Sequence, residues 1–138
     1  MRLAALDHVE QAIRSARRLG KNLVSLKWFD TAGQLALERK DLAAARALYD
    51  EMEAIARKRW TLKGETPETL RDLSISLDGV GDVRRESGDL AAASIAYKES
   101  LALSRRLREL RGDIPQARQD LSLSLARVSE IRRERGDL

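Results

Sequence analysis

The sequence predicts an all-α fold, with about six helices paired into antiparallel hairpins and stacked as repeats. Three observations carry this. Gly88-Asp89-Leu90 recurs downstream as Gly136-Asp137-Leu138 and upstream as Lys40-Asp41-Leu42, with 89 − 41 = 48 and 137 − 89 = 48. A fixed period of this kind marks stacked units, none of which covers its apolar face alone. Leu70, Leu73, Leu77 and Val80 follow one another at spacings of 3, 4 and 3, which places them on one face of a helix. Aromatic residues make up only 4% of the chain, whereas alanine, leucine, arginine and glutamate dominate, a profile that favours helices over strands.

The elements follow in order. Residues 2–19 read as a leading helix with the stripe Leu6, Val9, Ile13 and Ala16, closed by Gly20. Its Arg17-Arg18-Leu19 resembles Arg105-Arg106-Leu107, so residues 1–21 are a leading helix or a partial repeat. The second helix spans 22–39. Phe29 shares a core slot with Leu77 and Leu125, Ala32 with Val80 and Val128, and Leu35 with Val83 and Ile131. Trp28, adjacent to Phe29, cannot share its face and is expected against a neighbouring helix. The third helix, 41–62, starts at Asp41, whose carboxylate suits an N-cap, and Gly64 stops it. Thr66 and Pro67 open the fourth helix, 67–87, and Gly88-Asp89 turn into the fifth, 89–111. After Gly112, Asp113 or Ile114 leads into Pro115 and the sixth helix, 115–135.

One domain results, with units at 22–64 and 65–112 and the first helix of a third at 113–138. The slot of Gly33, Gly81 and Ser129 is small in every unit, although glycine costs about 1 kcal/mol in a helix, so a crossing helix is expected there. Ala45 and Ala93 each precede a tyrosine, Tyr49 and Tyr97, by four residues, which puts each pair on one face. Gly79-Val80-Gly81 has only two glycines and no preceding strand, which disfavours a phosphate loop. The stripe Leu121, Leu125 and Val128 has no following helix within its unit; against the fifth helix one face of it can be buried, as in a terminal cap, and any apolar edge left open would suit a second copy.

Val80-Gly81, Gly88, Ala93, Tyr97 and Ser100, at these intervals, resemble the tetratricopeptide repeat (TPR), and the resemblance spans about residues 24–138. The family's unit is about 34 residues. The longer period here resembles its long-helix variants, with extra turns on both helices. The closing proline is displaced to Pro67 and Pro115, and Arg84 and Arg132 stand where the family favours an aromatic. The resemblance implies a right-handed superhelical stack, an α-solenoid, whose first helices line a concave groove for a peptide or partner helix. Carried over by slot, that groove presents Lys27, Ile75 and Leu123, then Asp30 and Asp78 with Ala126, then Gln34, Asp82 and Glu130, then Leu37, Arg85 and Arg133. Family members that grip acidic tails use Lys, Arg and Asn at such slots. Acids fill the middle here, so the expected partner is amphipathic, with basic residues facing Asp78 and Asp82.

Composition narrows the function class. The net charge of +4 is mild for a dedicated nucleic-acid binder. The clusters Arg14/Arg17/Arg18, Arg57/Lys58/Arg59 and Arg105/Arg106/Arg108 close helices, where the dipole favours cations, and a polyanion-binding adaptor is the alternative they leave. His8 is the only histidine, and Glu10 points to another side of its helix, so a metal site is not expected. Ser74, Ser76, Ser122 and Ser124 sit at repeated positions with no base at hand, unlike a nucleophile. No run of 18 apolar residues, no apolar leader core and no cysteine are present, which fits a cytoplasmic location away from membranes. The expected function is a protein-interaction scaffold without cofactors or catalysis, self-associating through its C-terminal helix if that edge is open.

Overall fold

A computed structural model describes residues 26–136 and, ahead of them, Asp7, Gln11 and Arg14. These three residues are helical and exposed, and their spacings of 4 and 3 put them on one face. The remainder of the expected leading helix, with its apolar stripe and His8, lies outside the described residues, as do residues 22–25. Every regular element among the described residues is helical: α1 (Leu26–Glu38), α2 (Leu42–Lys63), α3 (Pro67–Glu86), α4 (Leu90–Arg111) and α5 (Pro115–Arg135).

Local chemistry sets the boundaries. Asp41 and Asp89 cap α2 and α4 by accepting from the backbone N–H of Ala44 and Ala92, at 3.2 and 3.1 Å. Thr66 and Thr69 form a reciprocal capping box ahead of Pro67: the Thr66 hydroxyl accepts from the Thr69 N–H at 3.1 Å, and the Thr69 hydroxyl accepts from the Thr66 N–H at 2.9 Å. α5 lacks this device. Ile114 occupies its N-cap with no side-chain bond, while Asp113 pairs with Arg118 at 3.4 Å. The hairpin turn needs a left-handed residue, and Gly88 supplies it at φ 86°. One period earlier Lys40 adopts the same conformation at φ 61°, at the steric cost of a Cβ.

Three-residue connections fold α1 on α2 and α3 on α4, and α2 and α4 pack on the helices that follow them. Gly81 meets Tyr97 while Ser74 meets Ser104, so α3 and α4 are antiparallel, and the short connections turn the other chain neighbours back in the same way. α1, α3 and α5 therefore run parallel in one layer, with α2 and α4 in the other. Two apolar clusters result. The larger joins Phe29, Tyr49, Met52, Leu70, Leu73 and Leu77, and the smaller joins Tyr97, Leu101, Val128 and Ile131. Each fully buried leucine contributes about 1.5–3 kcal/mol.

Val128 is buried and Leu121 half-buried against α4, as for a stripe covered from one side, while Leu125 is 42% exposed. Its counterparts Phe29 and Leu77 are covered by α2 and α4. Trp28 is 37% exposed, whereas Ser76 and Ser124, its slot-mates, are interior.

Candidate functional site

The face built from α1, α3 and α5 has two unlike halves, and one slot explains the difference. Tyr49 projects from α2 between α1 and α3, and its ring lies against both Gly33 and Gly79, where an added Cβ would overlap it. Two glycines thus let α1 and α3 close around one ring. Tyr97 repeats this against Gly81, but the residue one period after Gly79 is Arg127. A long cation replaces an absent side chain, and α5 stands farther from α3 than α1 does. The tyrosines are anchored by residues of this face. The Tyr49 hydroxyl donates to Asp30 Oδ1 at 2.7 Å and accepts from Gln34 Nε2 at 2.8 Å, while Tyr97 donates to Asp82 Oδ1 at 2.5 Å. Burial, and then the neighbouring Asp30, holds the Tyr49 phenol well above its usual range.

Between α3 and α5 the helices are joined by side chains. Arg127 reaches Asp78 Oδ2 at 3.5 Å and Asp82 Oδ1 at 3.7 Å, and Arg71 Nε lies 3.8 Å from Asp120 Oδ2. Arg85 donates to Glu130 at 3.2 Å and to Glu134. Partly exposed bridges of this kind contribute at most about 1 kcal/mol each.

Beneath them the core turns polar. Ser74, Ser100, Ser104 and Ser124 are buried and joined in a chain, with Oγ–Oγ distances of 2.9 Å from Ser74 to Ser100, 3.3 Å from Ser74 to Ser104 and 2.9 Å from Ser104 to Ser124. One period earlier Met52 and Ala56 fill the slots of Ser100 and Ser104. Hydroxyls satisfied in this way are close to neutral for stability, whereas a lone one costs about 1–3 kcal/mol.

Above the serines lies a cavity of about 200 Å³. Asp30 and Gln34 of α1, Ile75 and Asp78 of α3 and Leu123 of α5 line it, so these groove expectations converge. Arg71, Asp120, Arg127 and the serines line it too, and the sequence reading had not placed them there. Arg127 carries no mark in the sequence, because its slot holds Thr31, Gly79 and Arg127 and has no recurring residue to break. Gln34 also borders a shallower depression with Asp82 and Arg85, farther toward the hairpin turn. Glu130 lies beside it through Arg85. Lys27 is exposed and lines neither space.

Asp78 is the electrostatic centre. Burial pushes its carboxyl up to about 6, and the attraction of Arg127 and the nearby Ser100 hydroxyl offset this only in part. Asp82 is raised for the same first reason, with Tyr97 and Arg127 opposing. Asp78 Oδ1 is buried with no hydrogen-bond partner. Among the described residues no helix is long and apolar enough to cross a membrane. Set against protein-family models, curated proteins and solved structures, the chain matches none of them.

Proposed function

We propose that the chain is a protein-interaction scaffold, holding a peptide or helix of a partner along the face of α1, α3 and α5. In this reading the stack is a right-handed superhelix of the TPR kind, which the motif around Gly81, Gly88, Ala93 and Tyr97 resembles. The observation that carries it is the opening between α3 and α5. There Ile75 and the half-exposed Leu123 flank a cavity of about 200 Å³ on the face where the resemblance puts a ligand. Pockets that combine apolar walls with a few convergent polar groups are the usual recognition sites.

The polyanion-binding alternative is weaker because one cation in each of two of its clusters is engaged. Arg57 binds Glu53 and Glu99 at 2.7 and 2.9 Å, and Arg106 binds Glu65 and Glu109 at 2.6 and 2.9 Å. Self-association through α5 rests on Leu125, since Leu123, the other exposed leucine of that helix, lines the cavity. The test is a photo-crosslinking residue at Leu123, compared with one at Ile95, which is exposed on α4. The scaffold reading expects a discrete crosslinked partner from position 123 that disappears on Ile75→Asp. Identical products from both positions would refute it.

A further inference from the structure

We propose that the cavity between α3 and α5 is a subsite for one cationic side chain, a lysine or arginine of the partner, anchored on Asp78. The inference rests on the scaffold reading for the source of that side chain, and on the cavity itself for the chemistry. Three carboxylates and two guanidinium groups line the space, Asp30, Asp78 and Asp120 against Arg71 and Arg127, so its formal charge is 2 − 3 = −1. Asp82, bridged by the same Arg127, adds a further negative charge at its edge. The cavity therefore selects for a cation.

Neither resident guanidinium completes Asp78. Arg127 approaches only its Oδ2, at 3.5 Å, and divides itself with Asp82. The Ser100 hydroxyl also faces Asp78, but it donates to the Ser74 carbonyl at 3.1 Å. Asp78 Oδ1 is left buried without a partner. The other unpaired buried atoms, Arg71 Nε and Asp120 Oδ2, stand 3.8 Å apart, and a small rotation joins them to each other. A carboxylate with one oxygen held out of water without a donor is under-satisfied, and a cation that meets Asp78 from the cavity, with a small turn of the carboxylate, supplies the missing donor.

The walls distinguish a side chain from a bare ion. Ile75, Leu107 and Leu123 line the same space, with Leu123 half-exposed at its rim, and lysine and arginine lay their methylene stems along such apolar surface. A divalent ion fits poorly beside two guanidinium groups. Among the described residues no cluster of three histidine or carboxylate side chains is suited to a metal.

The test is an amide NMR titration of the full chain with three probes: Nα-acetyl-lysine methylamide, its uncharged norleucine analogue and the glutamate analogue. The expected result is saturable shifts at Ser74, Gly79, Leu123 and Ser124 with the lysine probe alone. Asp78→Asn should weaken binding tenfold or more. Leu123→Ala, a change at an exposed position that leaves the fold intact, should weaken it severalfold. The proposal is overturned if the lysine probe shifts nothing at tens of millimolar. It is equally overturned if norleucine binds as well, or if folded Asp78→Asn binds like the parent. Lysine binding without a crosslinked partner at Leu123 would uphold the subsite and sink the scaffold. A crosslinked partner without lysine binding would do the reverse.

Discussion

At Gly79 two helix backbones and one ring compete for the same space. The Tyr49 ring is fully buried and fixed at its tip by Asp30 and Gln34, so it cannot swing away from a new Cβ. Gly79→Ala should therefore cost about 1–3 kcal/mol in urea unfolding, despite alanine's better helix propensity. Shrinking the ring tests the cause: Tyr49→Leu with Gly79→Ala should lose less than the two single changes summed. The sequence made the small slot of Gly33 and Gly81 legible through its repetition. It hid Gly79, whose slot is not repeated, and it hid the serine seam. Serine is compatible with either face of a helix, so Ser74, Ser76 and Ser124 could not be told from the exposed Ser122.

Asp78 gives the residue scale a pH dependence. Its carboxyl is raised in the folded chain to about 6 from an ordinary 3.8. The folded state therefore holds this proton more tightly than the unfolded state. The favourable contribution is complete below about pH 3.8 and is lost as pH rises through 6. A shift of this size corresponds to about 3 kcal/mol. Asp82, raised in the same direction, adds to the slope. Asp78→Asn should match the parent near pH 4, should not share its loss between pH 4 and 6, and should be the more stable chain at pH 7.5. Parallel slopes for the two proteins in urea midpoints across that range would refute this assignment.

At the scale of elements, punctuation decided what could be read. Asp41, Asp89 and the Thr66-Pro67 pair fixed the starts of α2, α3 and α4 to within a residue, because each supplies an acceptor or a preset φ. The start of α5 stayed divided between Asp113 and Ile114, since isoleucine at a cap leaves no chemical mark. That contrast yields a prediction. Ile114 stands one period after Thr66, at the N-cap but without a hydrogen bond to offer, and it is 38% exposed. Ile114→Thr should stabilise the chain by about 0.5–1 kcal/mol and slow fraying of the first turn of α5. An unchanged thermal midpoint would show that the Asp113–Arg118 pair already secures this end.

Across the whole molecule the period made the stack legible, but the inner face only partly so. Slots assign residues to layers, and Asp30, Asp78, Ile75 and Leu123 line one cavity while Lys27 does not. Slots say nothing about how far apart two layers stand. That distance turns on Gly79 in one gap and Arg127 in the next, and the cavity belongs to the second. The same asymmetry should order the local stabilities. α3 carries nine buried residues and packs on α1, α2 and α4. α5 carries four, packs mainly on α4, and reaches α3 through salt bridges. Repeat stacks gain stability from neighbour interfaces, so an element with fewer interfaces opens first. In native-state hydrogen exchange, residues 73–83 should exchange only with global unfolding. Residues 121–131 should exchange through an opening about tenfold or more easier, near 1.4 kcal/mol. Leu125→Glu should leave both classes unchanged, because that side chain already meets water. Equal protection in α3 and α5 would mean that Arg127 and the serine seam couple the two helices into a single cooperative unit.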